Sequence, residues 1–173
     1  LSNLNAGGTS AGGDIVVKGA GQQAGATHHS LGIELLTGST ITSSHSGSIA
    51  LTGLGGAYSN STFSAGINIH RGNSIYTAAG TIDSNKIYSQ TGAINITGNR
   101  GLAGSKGLGF YTDAQIAYFG WDGSSVTTTG LLTFNGDALD LASSANIAAG
   151  SVKFNIGADS SVDGVISSAG AVE

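Results

Sequence analysis

Residues 46–57 read SGSIALTGLGGA, residues 91–102 read TGAINITGNRGL, and residues 12–23 read GGDIVVKGAGQQ. Placing Gly13, Gly47 and Gly92 in register stacks Ile15, Ile49 and Ile94, then Val17, Leu51 and Ile96, then Gly19, Gly53 and Gly98. The apolar positions alternate with Val16, Ala50 and Asn95 and with Lys18, Thr52 and Thr97. That is the period of two of a strand with one buried face. Repetition at such long spacing has to be read as units first, because a repeat unit cannot cover its own apolar face and relies on its neighbours.

Each unit continues with a second alternating stretch. Gly32-Ile33-Glu34-Leu35 matches Gly66-Ile67-Asn68-Ile69 and Gly107-Leu108-Gly109-Phe110. Ile41, Ile75 and Ile116 each fall nine residues beyond the glycine of that stretch, which predicts a third strand per unit. Gly13 to Gly47 spans 34 residues and Gly47 to Gly92 spans 45, so on this register TAAGTIDSNKIYSQ (77–90) contains an insertion following Ile75. Loops absorb the difference. Three short strands per unit, aliphatic ladders and corners of variable length predict an all-β right-handed parallel β-helix (β-solenoid), its units stacked about 4.8 Å apart. The absence of proline fits a backbone whose N–H groups pair above and below, and Gly and Asn are expected to supply positive-φ corners. The whole chain, 1–173, reads as one domain, with clear repeats over 11–119 and diverged coils over 120–173. The latter keep alternation at Leu132-Thr133-Phe134 and Val152–Ile156 but lose the G-x-I-x-I-T-G signature. An antiparallel sandwich or barrel is the alternative, with hairpin signals at Asp122-Gly123, Asn135-Gly136 and Asp163-Gly164.

Composition bounds the chemistry. The chain has 30 glycines among 173 residues, 39% hydrophobic and only 9% charged residues, and a mean hydropathy of +0.15, enough apolar character to pack rather than stay disordered. With no cysteine there are no disulfides, thiolate metal sites or cysteine nucleophile. A net charge of −4 with six scattered Lys and Arg gives no basic stripe for nucleic acid, and no apolar run is long enough for a membrane span. The lack of an initiator methionine leads us to expect an excised or processed piece whose export signal lay upstream.

Candidate sites are sparse. GNRGLAGSKG (98–107) departs from a phosphate-binding loop in its order of Gly, Lys and Ser/Thr and reads as a corner. His28, His29, His45 and His70 do not recur in the ladder, so no metal and no cofactor are expected. Asp137 and Asp140 could form a carboxylate pair for polysaccharide cleavage, but solvated surface carboxylates are the simpler reading, and Asp14 falls beside Ser48 and Ala93 rather than in an acidic ladder. Asn60-Ser61-Thr62 and Asn95-Ile96-Thr97 match the N-glycosylation acceptor pattern. What remains are the segments expected to project as loops, 22–30, 58–63 and 81–90, and the aromatic group around Tyr118, Phe119 and Trp121. Tyr58, Lys86, Tyr88, Tyr118 and Trp121 are the candidate ligand contacts.

The phrases GSIALTGLGGA, TGAINITGNRG, GIELLTGSTITSS and GINIHRGNSI resemble the degenerate coils of filamentous-haemagglutinin-like exoproteins and autotransporter passengers over about residues 11–119. The closing VDGVISSAGAVE resembles the run-in to an autotransporter-associated repeat. This resemblance implies a secreted, cell-surface location in bacteria and a structural shaft and adhesion segment that binds through projecting loops, without catalysis. The partners it implies are the same chain or identical subunits stacked along the axis, and host or neighbour-cell glycans or proteins. A filament subunit that polymerises end to end and a polysaccharide-processing β-helix enzyme are the alternatives.

Overall fold

The computed structural model describes residues 3–7, 12–22, 30–36, 39–57, 64–69, 85–101, 108–110, 117–120, 128–141, 145–157, 160–162, 165–168 and 170–173. Among them are fifteen strands and no helix. After β1 (Asn3–Ala6) come β2 (Ile15–Ala20), β3 (Ile33–Leu35) and β4 (Thr40–Ser43), then β5 (Ile49–Leu54), β6 (Ile67–Ile69) and β7 (Asn85–Ser89). They are followed by β8 (Ile94–Asn99), β9 (Leu108–Phe110) and β10 (Ala117–Phe119), then β11 (Thr128–Gly136), β12 (Leu139–Leu141), β13 (Ala145–Ile156), β14 (Ser161–Val162) and β15 (Val165–Ser168).

Every pairing between these strands is parallel, and each strand pairs with its counterpart one unit away. β3, β6, β9, β12 and β14 form a five-stranded sheet in that order. The other sheet has ten strands, in the order β1-β4-β7-β10-β13-β11-β8-β5-β2, with β15 also on β13. Its two halves are the third and first strands of the units, and they join only in β13, whose beginning pairs with β10 and β15 and whose end pairs with β11. Neither sheet closes on itself, and the antiparallel alternative finds no antiparallel pair among the described residues.

The register read from the sequence holds along the first strands. Ile15 pairs with Ile49 and Ile49 with Ile94, and Val17, Leu51 and Ile96 stack likewise. The column then continues into the diverged half, where Leu132 and Phe134 lie on Ile94 and Ile96, and Val152 and Phe154 on Leu132 and Phe134. Gly130-Leu131-Leu132-Thr133-Phe134-Asn135-Gly136 is therefore the same motif with larger apolar residues. In the second sheet Ile33, Ile67, Leu108 and Leu139 align. Together these columns make one core, in which Ile49, Leu51, Ile67, Ile94, Ile96, Leu132 and Phe134 are fully buried. The rings of Phe134 and Phe154 stack at 5.3 Å with 9° between their planes, an arrangement worth about 0.5–1.5 kcal/mol beyond the area buried.

The third strand is where the sequence register needs correction. Ile41 pairs with Ile87, and Ile87 with Phe119, not with Ile75 and Ile116, which lie outside the described residues. The insertion thus precedes the third strand, and Asn85–Ser89 is the strand itself. A fixed offset counted from the second strand fails because it crosses the corner whose length varies. The better marker is a serine. Ser43 Oγ donates to Gly13 O at 2.7 Å and Ser89 Oγ to Gly47 O at 2.6 Å, so the buried hydroxyl ending a unit is tied to the carbonyl that begins it.

The corners also differ from expectation. Among described residues only Gly120 and His45 have positive φ, and asparagine supplies none. The corner glycines are needed for close approach instead: a Cβ on Gly92 would lie 2.2 Å from Gly47 O, and one on Gly130 2.3 Å from Gly92 O. His45, at φ 53°, is the second residue of a turn closed by Gly47 N–H on Ser44 O at 3.3 Å. That is the type II′ pattern, where glycine is the usual occupant.

Two outcomes follow for stability. Ile49→Asp, which puts an unpaired charge in the core, should cost several kcal/mol, while Thr52→Asp on the exposed face should leave thermal unfolding nearly unchanged; equal effects would refute the register. His45→Gly should raise stability, because the left-handed conformation costs a residue with a Cβ roughly 1–2 kcal/mol, partly offset by glycine's greater unfolded-state entropy. A lower melting temperature in that variant would show that the imidazole contributes more than its backbone strain costs.

Candidate binding faces

On the third strands, Ile41, Ile87 and Ile147 are buried, and Thr40, Thr42, Tyr88 and Asn146, in the alternating positions, are half-buried. Lys86 lies in register between Thr40 and Tyr118, and Tyr118 in turn beside Asn146. Tyr88, half-buried, pairs with Thr42. Of the five candidate contacts, Lys86, Tyr88 and Tyr118 are thus brought onto neighbouring rungs of one ladder, although 32 residues separate Lys86 from Tyr118 in the sequence. Tyr58 and Trp121 lie outside the described residues. Phe119 takes the register position of Ile87 and Ile147.

The outer face of the first strands was not singled out from the sequence. One row runs Lys18, Thr52, Thr97, Asn135 and Asn155 along successive rungs. Its later members are linked by side-chain hydrogen bonds, Asn155 Nδ2 donating to Asn135 Oδ1 at 2.9 Å and Asn135 Nδ2 to Thr97 Oγ1 at 3.4 Å. Reading GLLTFNG as the repeat motif would have revealed this row. Beside it Asn95, of the acceptor pattern at 95–97, is exposed on β8, whereas Asn60 lies outside the described residues. Ser30, placed in a projecting segment, is instead buried, with its hydroxyl donating to Gln22 O at 3.0 Å.

Asp137 and Asp14 are structural ties between rungs. Asp137 accepts from Arg100 N–H at 3.0 and 3.2 Å and pairs with the Arg100 side chain at 3.5 Å, so it is engaged with the corner of the preceding unit rather than merely solvated. Asp140 lies in register between Gly109 and Ser161. At the exposed end of the stack Asp14 Oδ1 accepts from Ser48 N–H at 2.7 Å and from the Ser48 hydroxyl at 2.8 Å. Those two bonds, the backbone one foremost, hold the Asp14 carboxyl below the usual carboxylate range. Among the described residues no three His, Asp or Glu converge as a metal site; His28, His29 and His70 lie outside them. Among the described residues two buried side-chain polar atoms have no hydrogen-bond partner, His45 Nδ1 at the strained turn and Asn68 Oδ1 on β6.

Comparison of the chain with protein-family models, with curated proteins and with solved structures gives no match.

Because the folded state lowers the Asp14 pKa, the bond to Ser48 stabilises fully above the ordinary carboxylate value and its contribution disappears as pH falls through the lowered one. Urea midpoints measured across the acid range should therefore fall more steeply for the native chain than for Asp14→Asn. Parallel curves would mean that the ionised carboxylate adds nothing at this rung.

Proposed function

We propose that this chain is a segment of the shaft of a secreted bacterial surface fibre, in which a right-handed parallel β-helix provides reach and the outward rows and corner excursions provide adhesion. The observation that supports this reading is that, among the described residues, several inward positions of the end rungs are less covered than those of the middle ones. In the middle rungs the inward residues are fully buried, whereas Val17 and Ile33 at one end and Phe154, Ile156 and Ile166 at the other are only partly covered. Val172, 53% exposed, bridges to Val152 as the start of a further rung, and Glu173 is held there by Lys153 at 3.3 Å. Such end rungs call for another rung, since exposed parallel edges with apolar side chains beneath them are templates for further pairing.

A neighbour from the same longer chain makes the segment part of a continuous shaft. A neighbour from an identical subunit makes it a self-polymerising filament, and the same open ends favour that second reading. The resemblance of the repeats to bacterial exoprotein coils supports surface display and the preference for a shaft, with glycans or proteins of host or neighbouring cells as the partners of the outer rows. Nucleic acid and membrane insertion have no part in this reading. For the enzyme alternative, Asp137 is the natural candidate, and its engagement by Arg100 favours a structural role.

The purified 173-residue chain should associate end to end as concentration rises, seen as growth of elongated particles by light scattering and electron microscopy. Addition of a charged capping helix at either end should suppress it. A compact monomer at high concentration would overturn the open-ended reading.

A further inference from the structure

The two ends of the described stack present the same two faces of the unit. At one end lie β1, a third strand, and then β2, a first strand. At the other lie β15, again a third strand, and then Val172, which bridges to Val152 in the place of a first strand. Advancing a second copy by one rung therefore sets its β1 on β15 and, with no further adjustment, its β2 on residues 170–173. Leu4 then continues the column that runs through Ile41, Ile87, Phe119, Ile147 and Ile166. Ile15 likewise continues the column ending in Leu132, Val152 and Val172. The end positions are apolar and open, Leu4 being 45% and Val172 53% exposed, against 4% for Ile41 one rung in from Leu4.

Backbone direction agrees with this register. Ile15 N–H donates to Ser48 O at 2.8 Å, Ile49 N–H to Ala93 O at 2.9 Å and Val152 N–H to Ala171 O at 3.0 Å. In each case an inward residue of a first strand donates to the residue preceding its partner on the next rung. The same rule directs Val172 N–H at Asp14 O of a second copy whose Ile15 lies on Val172.

The glycines that open the first strands are an independent observation. A Cβ on Gly47 would lie 2.4 Å from Gly13 O, one on Gly92 2.2 Å from Gly47 O, one on Gly130 2.3 Å from Gly92 O and one on Gly170 2.4 Å from Gly150 O. The carbonyl of the preceding rung holds each of these positions to glycine. Gly13 differs, since among the described residues its Cβ would meet only Ala6 Cβ, at 3.3 Å. In the register above, Gly170 O of the neighbouring copy takes the place of the missing carbonyl.

We propose that two copies of this chain dock head to tail in this register, β2 of one on residues 170–173 of the other and β1 on β15. Among the described residues no strand lies between β14 and the second copy's β3, so the first and third strands make the joint. Asp14 stays engaged with Ser48 and Glu173 with Lys153 inside their own copies, which leaves backbone pairing and apolar contact to hold the copies together. The proposal rests on the end-rung reading above and specifies the partner and register which that reading leaves open.

Gly13→Ala should leave circular dichroism and thermal unfolding nearly unchanged while raising about tenfold or more the concentration at which elongated particles form. Gly47→Ala, facing the same kind of carbonyl within the chain, should instead lower the melting temperature. Because the chain has no cysteine, the double variant Val16→Cys, Glu173→Cys reports the register directly. Within one copy these positions lie five rungs apart in one column, about 24 Å and beyond the reach of a disulfide, whereas across the joint they are neighbours. Mild oxidation should give a ladder of cross-linked oligomers on a non-reducing denaturing gel, and Glu34→Cys with Glu173→Cys, which pairs the second sheet with the first strands, should not. Association that is unchanged in Gly13→Ala, or that gives no cross-link between positions 16 and 173, would overturn this register and leave the end-rung reading in place. A native chain that stays monomeric at high concentration would overturn both.

Discussion

Parallel pairing of each strand with its counterpart one unit away is the constraint on which the rest of the molecule depends. Once Ile49 is fixed between Ile15 and Ile94, every other residue of that strand has its partner assigned. Its apolar neighbours must then be apolar too, because a single step of register would exchange the buried and the exposed rows. The continuation through Leu132 and Val152 shows how little the constraint demands of identity. It asks for an apolar side chain at the position and tolerates isoleucine, leucine, valine or phenylalanine.

Rungs about 4.8 Å apart impose a second demand at the corners, where the chain turns and one unit's backbone lies on the next. Space there excludes a side chain, as at Gly92 against Gly47. Hydrogen bonding is satisfied by short polar side chains that reach across a unit, Ser43 to Gly13 and Ser89 to Gly47. Much of the glycine content therefore reflects close contact rather than unusual dihedral angles. Among the described residues His45 is the exception that carries a left-handed backbone without being glycine.

Stacking also turns distant residues into neighbours. Arg100 and Asp137 link adjacent corners across 37 residues, and Asn135 and Asn155 share a hydrogen bond across 20. The outer rows are therefore composite surfaces, with each unit contributing one or two residues to any ligand lying along the stack.

From the sequence alone came the all-β class, the parallel ladders of the first and second strands, and the identity of most core residues. These follow from local alternation, which depends only on the two-residue period of an extended chain and survives any change in loop length. The third-strand register did not follow, because Ile75-Tyr76 and Ile87-Tyr88 are locally alike and only the pairing with Ile41 decides between them. The sequence named candidate residues but not which of them lie side by side. Lys86 and Tyr118 could be named from their type, yet their adjacency exists only once the units are stacked. Tertiary structure alone decided these contacts, because they depend on how much chain each corner takes up, and local propensity carries no record of that length.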